Sequence, residues 1–281
     1  MRVMLATPTL FRIPTVEYMM SVMKTSMLLM QSGHILDTCF VGGDAFVMKA
    51  RNGLVESFIK SWEGQYACDV LVFIDDDQAW DEQAFLRIIQ DPHEMIAVAI
   101  PKKQDTKEGE PQVYNNVQLD TDEKGNCVVE NGMLRCSQIG SGFLSIKRSA
   151  IEKLMKAYPE RYSPGDGGIH PFHYNFFESK IIWPKEGWSK EKPGQFWGED
   201  LVFCKKWKDI GGHIWIDPNV RVEHIGRKSW GGNFMEFLQK HANVTTTTNV
   251  IPINPVPLVP ESLKTPEPIP ETLKAIQELA A

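Results

Sequence analysis

The sequence has few cysteines, no long apolar run and no large excess of charge of either sign. Its five cysteines are scattered, odd in number and without metal-site spacing, which excludes a disulfide scaffold and zinc fingers and suits a reducing cytoplasm. Apolar stretches stop after a few residues, too short to cross a bilayer. Because residues 2–6 form a strand-like segment directly after Met1, no signal peptide is predicted. A formal charge of −6 argues against a general nucleic-acid coat but permits a local basic patch.

The 281 residues are enough for one large α/β domain, or for one domain with an appendage. Hydrophobic residues at 42% and charged residues at 23% exclude wholesale disorder. Short β-like runs alternate with helical patterns in the first half, which predicts an α/β fold with a mostly parallel sheet and crossover helices. The expected elements are strand 3–6, helix 15–31, strand 34–40, helix 45–62, strand 70–74, helix 81–90 and strand 95–100.

Two stretches depart from this alternation. Residues 157–198 are rich in aromatics, prolines and glycines without periodicity, which predicts a long functional loop. After residue 243 the composition changes to threonines and prolines, which predicts an extended tail over 244–281 that ends in a short amphipathic helix over 271–279. The folded domain is therefore expected to be 1–243.

The first predicted helix has a methionine-rich face. A groove for a cofactor or a partner is one interpretation, but methionines at helical spacing more often belong to the core. We therefore expect this face to be packed inside. It consists of Met19, Met20, Met23, Met27 and Met30.

Three adjacent carboxylates, Asp75, Asp76 and Asp77, follow the apolar strand 70–74. Adjacent carboxylates repel one another, so a positive partner is expected, and ligands of open α/β sheets bind at the carboxyl ends of strands. A divalent cation that carries a phosphate on its other face fits this pattern. The alternative is a solvated turn with a helix-capping aspartate.

A second acidic pair, Glu199-Asp200, opens a predicted helix directly after Trp197-Gly198. Acidic residues are favoured at helix starts, so ordinary capping is one interpretation. The other is a functional site, because an aromatic platform beside a carboxylate suits sugar recognition and general-base catalysis.

Two weaker signals accompany these pairs. His224 follows a short strand, where a histidine is more often a packed residue than a ligand, although the acidic cluster lacks a nitrogen ligand. The segment Gly140-Ser141-Gly142 would let the backbone approach a ligand closely.

These motifs form part of a series that resembles a known family. The series resembles the GT-A fold glycosyltransferases, close to the family 2 type and to small soluble enzymes encoded by bacteriophages. The resemblance implies a Rossmann-like, mixed and mostly parallel sheet with flanking helices, divided into a nucleotide-sugar half (1–116) and an acceptor half (117–243). The tail has no counterpart in it. Along residues 1–235 the series runs Thr7-Pro8, Ala50-Arg51-Asn52, Asp75-Asp76-Asp77, Ile100-Pro101-Lys102-Lys103, Gly140-Ser141-Gly142-Phe143, Trp197-Gly198-Glu199-Asp200 and Glu223-His224.

The resemblance also implies roles for single residues. The donor would be a nucleotide sugar, most often a UDP-sugar, and Mn²⁺ or Mg²⁺ would be held by Asp77 and His224. Asp200 would be the general base of an inverting transfer, with Glu199 as the alternative base, whereas a retaining relative would use this pair only to hold substrates. The donor-binding residues would be Thr7, Pro8, Arg51, Asn52, Asp75, Asp76, Lys102, Gly140, Ser141, Gly142, Trp197 and Gly198.

Other functions stay open on the sequence alone. A metal-dependent nucleotidyltransferase also uses carboxylates at a strand end, but would want a glycine-rich phosphate loop near the first strand. A non-enzymatic carbohydrate- or DNA-binding module would use the aromatic region 172–197 as its surface, and would keep its function without Asp77.

The acceptor is indicated only by lysines that alternate with aromatics. This mixture occurs from Lys180 through Trp183, Trp188, Lys190 and Lys192 and returns at Arg227-Lys228. It suits phosphate contact and stacking on an extruded base, such as a 5-hydroxymethylpyrimidine in phage DNA. A loop with sugar-stacking tryptophans, and hence a glycan acceptor, is the equal alternative.

Overall fold

The computed structural model describes residues 1–114, 117–164, 172–187, 189–190 and 192–241. The predicted tail and its terminal helix lie outside these residues, as does Trp188. The strands are β1 (Arg2–Thr9), β2 (Ile35–Gly42), β3 (Val70–Ile74), β4 (Gln78–Trp80), β5 (Met95–Ala97), β6 (Gln118–Leu119), β7 (Val129–Glu130), β8 (Met133–Gln138), β9 (Phe143–Lys147), β10 (Tyr162–Pro164), β11 (Phe172–Tyr174), β12 (Lys180–Ile182), β13 (Gln195–Trp197), β14 (Ile214–Ile216), β15 (Arg221–Ile225) and β16 (Ser229–Asn233). The helices are α1 (Val16–Gln31), α2 (Val47–Ser61), α3 (Glu82–Gln90), α4 (Arg148–Ala157), α5 (Glu199–Asp209) and α6 (Phe234–His241).

A nine-stranded mixed sheet forms the centre of the described domain. Its order is β2-β1-β3-β9-β5-β14-β8-β6, with β7 on β8. Strands β8 and β9 run against the others, and every other strand of the sheet shares one direction. This confirms the predicted α/β fold with a mostly parallel sheet and flanking helices.

The core lies on both faces of this sheet. Strand β3 is buried along its whole length, and its side chains alternate between two clusters. Phe73 packs on one side among residues of α2, α4 and α5, whereas Val72 packs on the other among residues of α1 and α3. A strand covered on both faces reads as a continuous apolar run, which is why it is so clear in the sequence.

Several boundaries differ from the expectation: β2 continues to Gly42 instead of residue 40, and β5 ends at Ala97 instead of residue 100. Strand β1 does not end at residue 6 but continues to Thr9, paired with β2 up to Gly42, because the fixed φ of Pro8 is compatible with extended backbone. The stretch 157–198, expected to be a loop, holds two small hairpins in its described part, β10–β11 and β12–β13. Strands of three residues are too short to show an alternating pattern.

The methionine face of α1 is not in the core, so that prediction is wrong. The side of α1 that packs inward carries Tyr18, Val22, Leu28 and Leu29 instead. The helix therefore has apolar side chains on two faces, and only one of them is covered. The exposed fractions are 41% for Met19, 48% for Met20, 56% for Met23, 58% for Met27 and 72% for Met30.

No helix in the described ranges is long and apolar enough to cross a membrane.

Candidate active site

A cavity of about 390 Å³ opens at the edge of the sheet where β3 and β5 end. Gly142 lies at this edge because β9 runs antiparallel to β3, and its carbonyl accepts a hydrogen bond of 3.0 Å from the Asp75 N–H. A second cavity of about 250 Å³ adjoins the first and shares Asp75 and His224 with it. The first is lined by Arg51, Asp75, Gln78, Val98, Ile100, Pro101, Lys102, Lys103, Val117, Ile139, Gly140, Ser141, Gly142, Asp200 and His224, and the second by Pro8, Thr9, Leu10, Asp44, Ala45, Val47, Ala50, Asp75, Asp76, Asp77 and His224.

Arg51 is the buried cation of the site. It projects from α2, is 4% exposed, and donates from Nη2 to Asp75 Oδ1 at 3.0 Å and from Nη1 to the Ser141 carbonyl at 3.0 Å. Its Nε lies 3.8 Å from Glu199 Oε1. One guanidinium thus joins the acidic cluster after β3 to the acidic pair that opens α5.

Asp77 has two partners that favour its ionised form. Lys103 Nζ donates to Asp77 Oδ2 at 2.6 Å, and His224 Nε2 lies 3.4 Å from the same oxygen. Burial raises the pKa of Asp77, but the contacts with His224 and Lys103 outweigh it, so the net pKa is lowered. Asp77 is therefore ionised throughout the neutral range.

The ring of His224 is oriented by a carbonyl group. Its Nδ1 lies 2.9 Å from the Pro101 carbonyl oxygen, which can only accept, so Nδ1 carries the proton. In the protonated ring Nε2 also carries a proton and can donate to Asp77, which is the form that favours the Asp77 carboxylate, whereas in the neutral ring Nε2 has a lone pair that could ligate a cation held with Asp77.

Asp77 and His224 provide two donors, one oxygen and one nitrogen. Across the described ranges, no group of three or more His, Cys, Asp or Glu side chains could hold a metal ion. Two protein donors nevertheless fit Mg²⁺ or Mn²⁺, since such ions take one or two protein ligands and complete their shell with water and substrate phosphates. The pair thus fits a cation that arrives with a phosphorylated ligand.

The surroundings of Glu199 and Asp200 disfavour their ionised forms, in contrast to the surroundings of Asp77. Burial raises the pKa of Glu199, Asp200 raises it further, and Arg51 only partly offsets this. Burial also raises the pKa of Asp200. The Leu201 N–H, which donates to Asp200 Oδ1 at 2.8 Å, lowers this pKa but by less, so the net pKa is raised. A carboxylate whose charged form is disfavoured is a stronger base than an exposed one.

The glycines around Asp200 and Asp75 leave room for close approach. A Cβ at Gly140 would lie 3.5 Å from Asp200 Oδ2, and one at Gly142 would lie 2.6 Å from Gln78 Nε2 and 3.1 Å from Asp75 Oδ2. A side chain at residue 142 would therefore displace cavity-lining groups. The sequence indicated this loop only as a weak signal.

Three residues that line the first cavity have a buried polar atom without a hydrogen-bond partner in the described part of the chain, and one of these atoms is Arg51 Nε. Gln78 is 1% exposed with an unpaired Oε1, and Ser141 is 3% exposed with an unpaired Oγ. Unpaired buried polar atoms are costly, and a ligand in the cavity would relieve that cost. Sequence reasoning did not single out Gln78, although it directly follows the acidic cluster.

Two residues expected to hold the donor are engaged elsewhere. Thr7 is fully buried, and its hydroxyl is hydrogen-bonded to the Tyr18 hydroxyl. Pro8 lines the second cavity, but Thr7 does not. Asn52 is 2% exposed; its Nδ2 donates to the Phe177 carbonyl and its Oδ1 accepts from the Phe177 N–H, both at 2.9 Å. Asn52 therefore holds the segment before β12 and lines neither cavity.

Of the remaining expected residues, Lys102 and Asp76 line the cavities, whereas Trp197 and Gly198 line neither. Lys102 lines the first cavity, but its neighbour Lys103 is the one that contacts Asp77. Asp76 lines the second cavity, where burial raises its pKa. Trp197 ends β13 immediately before Gly198, the N-cap residue of α5, and is half-buried.

An apolar surface lies on the β12–β13 hairpin that leads into α5. Ile181 and Phe196 are cross-strand neighbours, 46% and 73% exposed, and Trp183 is 53% exposed. Strand β13 leads through Gly198 into Glu199 and Asp200 at the start of α5. We call Ile181, Trp183 and Phe196 the hairpin surface.

No family model matches this chain, and no curated protein matches it in sequence. Several solved structures are similar to it at low identity. A197 from STIV is 15% identical over 80% of this chain and 86% of its own, with a TM-score of 0.43. The catalytic domain of Drosophila beta1,4-galactosyltransferase 7, solved with xylobiose, is 13% identical over 88% of this chain and 76% of its own, with a TM-score of 0.39. The inositol-1-phosphate CTP transferase from T. maritima is 12% identical over 80% of this chain and 88% of its own, with a TM-score of 0.36.

Proposed function

We propose that this protein transfers a glycosyl group from a nucleotide sugar to an acceptor hydroxyl, with a divalent cation bound at Asp77 and His224. The observation that supports it is the presence of two unlike acidic groups at adjoining cavities: Asp77 lines the smaller one beside Lys103 and His224, and the half-buried Asp200 lines the larger one. A volume of about 390 Å³ is within the range of small-molecule sites.

The donor would extend across both cavities. The smaller cavity takes the nucleoside between Pro8, Thr9 and Leu10, with the carboxylates of Asp44 and Asp76 as acceptors for sugar hydroxyls. The diphosphate lies where the cavities meet, near Asp77 and His224. When bound, the cation neutralises negative charge on the leaving nucleoside diphosphate. Lys103 and Arg51 supply further positive charge there.

Asp200 is the general base in this proposal. Its Oδ1 accepts from the Leu201 N–H, whereas its Oδ2 borders the space left by Gly140. It takes the proton of the acceptor hydroxyl as that oxygen attacks the anomeric carbon in line with the leaving phosphate, which inverts the configuration. Glu199 faces Arg51 at 3.8 Å and holds that guanidinium in position.

We propose a glycan rather than DNA as the acceptor. Two of the four lysines of this region lie close to carboxylates: Lys180 is 3.6 Å from Glu178, and Lys192 is 4.0 Å from Glu186. Lysines with acidic neighbours offer little net charge to phosphates, and phosphate contacts dominate affinity for DNA. The hairpin surface instead offers apolar faces for stacking against sugar rings.

The test is a screen of nucleotide sugars with the full chain, Mn²⁺ or Mg²⁺, and three acceptors: oligosaccharides, DNA that contains 5-hydroxymethylcytosine, and unmodified DNA. We expect cation-dependent release of nucleoside diphosphate and a labelled oligosaccharide, both slowed by a factor of roughly 10² or more in Asp200→Asn. The control is Asp209→Asn, the same change on the exposed end of α5, where Asp209 pairs only with Lys205 among the described residues.

Other outcomes would contradict separate parts of the proposal. Label on modified DNA alone would replace the glycan with a DNA acceptor. Release of pyrophosphate from a nucleoside triphosphate, without turnover of any nucleotide sugar, would favour a nucleotidyltransferase. Nucleotide-sugar turnover that is unchanged in EDTA would contradict the metal site.

A further inference from the structure

The exposed face of α1 has a spacing that a helix packed against another helix requires. Its apolar side chains occur at Val16, Met20, Met23, Met27 and Met30, in steps of four, three, four and three residues. This alternation is the heptad seam of a coiled coil, whereas a helix on a globular core shows a broader stripe. The core-facing side of α1 is already occupied by α3, β2 and β4.

The charges beside this seam are few and balanced. Glu17 and Lys24 are the charged residues of α1, and they are seven residues apart, so both lie on the same flank of the seam. Helices that lie on anionic membranes carry an excess of lysine and arginine on their polar face. One negative and one positive charge suit a partner with the same two charges in reverse order.

We propose that α1 is the contact surface of a homodimer in which two copies of this helix pack antiparallel. Antiparallel packing aligns Val16 with the partner subunit's Met27, and Met20 with the partner subunit's Met23. In the same register Glu17 and the partner subunit's Lys24 lie on the same flank of the interface. Both lie between the two layers of apolar side chains just named. The arrangement is self-complementary, as a two-fold interface must be.

The segment before α1 extends this surface. Ile13 is 75% exposed and lies on the N-terminal side of the seam, where the register aligns it with the partner subunit's Met30. Phe11, 77% exposed, lies next to it. Large exposed apolar patches mark interaction sites. In the proposed dimer, the same patch of the second copy covers this one.

The first experiment is sedimentation velocity of the full chain over roughly a hundredfold range of concentration, since a dimer dissociates on dilution. We expect a dimer whose dissociation constant rises more than about tenfold in Met23→Glu, which places a charge at the centre of the seam. Val129→Glu is the matched control, because Val129 is 56% exposed on β7, away from α1. Thermal unfolding establishes that both variants are folded.

The second experiment fixes the orientation of the helices. Glu17→Lys and Lys24→Glu should each weaken the dimer by roughly three- to tenfold, the scale of exposed ion pairs counted twice across the axis. The double charge reversal should restore it. A parallel arrangement does not bring these residues together, so failure of the double variant to restore the dimer would overturn the antiparallel register.

A monomer at every concentration would overturn the proposal outright. A monomer that co-sediments with phosphatidylcholine–phosphatidylserine vesicles, and loses this in Met23→Glu, would make the face a membrane-binding surface instead. A dimer that Met23→Glu leaves unchanged would place the interface elsewhere on the chain.

Discussion

Asp77 and Asp200 line adjoining cavities and are the same residue type, yet their surroundings differ. Asp77 faces an ammonium and an imidazole, and its pKa is lowered in spite of burial. Asp200 is half-buried with one backbone N–H at its Oδ1, and partial burial raises its pKa. The comparison teaches that carboxylates take opposite chemical roles, cation ligand and base, according to what the fold places next to them.

The largest expected effect is on the cation side. Asp77→Asn should abolish nucleotide-sugar turnover because it removes the anionic ligand of the proposed metal pair. Calorimetric titration of Mn²⁺ with UDP should show cation-dependent binding in the wild type and in Asp209→Asn, and none in Asp77→Asn. Unchanged cation-dependent binding in Asp77→Asn would show that Asp77 does not hold the cation.

The base side should show a different loss. Asp200→Asn should lower kcat by roughly 10² or more, the usual scale for a positioned base, and leave donor affinity intact. Glu199→Gln should mainly raise KM through the loosened Arg51. If Glu199→Gln is inactive and Asp200→Asn is active, the two roles are reversed.

The pH dependence of stability should separate the two sides by sign. Asp200 has a raised folded-state pKa, so its ionisation costs stability above that pKa, and Asp200→Asn should raise the Tm at neutral pH. The folded-state pKa of Asp77 is lowered, so its ionised form stabilises the protein above the unfolded-state pKa, and this stability is lost as the pH falls through the folded-state pKa. Asp77→Asn should therefore lower the Tm at neutral pH. Melting curves from pH 7 downward measure both, and equal shifts of one sign would contradict the contrast.

The same contrast should appear in the pH–rate profile. Because the pKa of Asp200 is raised, the acidic limb of kcat/KM should lie above the ordinary aspartate value of 3.8. Rates for wild type and Asp209→Asn should coincide over this range. A limb at or below 3.8 would mean that another group is the base.

Arg51 and Asn52 repeat the comparison on a smaller scale, since one contacts the site and the other the scaffold. Asn52→Ala should leave the Phe177 N–H and carbonyl without their partner and cost about 1–3 kcal/mol of unfolding free energy. Turnover per folded molecule should stay near that of the wild type. Denaturant unfolding and active-site-normalised rates check this, and a full loss of turnover with unchanged stability would return Asn52 to the donor site.

Much of this fold could be predicted from the sequence because its strands are covered on both faces. β3 was predicted residue for residue, since five consecutive buried apolar residues admit few interpretations. The predicted start of α1 at residue 15 is also close to the observed one, because Thr15 is the N-cap residue and accepts from the Tyr18 N–H. Local chemistry decides such features, and the sequence carries that chemistry in full.

Features that depend on packing could not be predicted in this way. Both faces of α1 are apolar, so only the position of the sheet decides which one is covered. Lys102 and Lys103 have the same chemistry, yet only the side chain of Lys103 contacts Asp77. Gln78 has no pattern of its own, and its burial follows from the small sheet that pairs β4 with β15.

Lys103 has a consequence for how the proposed site would load. Its ammonium lies 2.6 Å from the oxygen that would ligate the cation, so the chain supplies its own counter-ion to Asp77. An incoming Mn²⁺ or Mg²⁺ would displace this ammonium instead of filling an unbalanced anionic site, and the exchange would cost affinity for the free ion. A nucleoside diphosphate would offset that cost, because the displaced ammonium could then bind its phosphate oxygens. The site would thus bind the cation and the nucleotide together more tightly than it binds either alone.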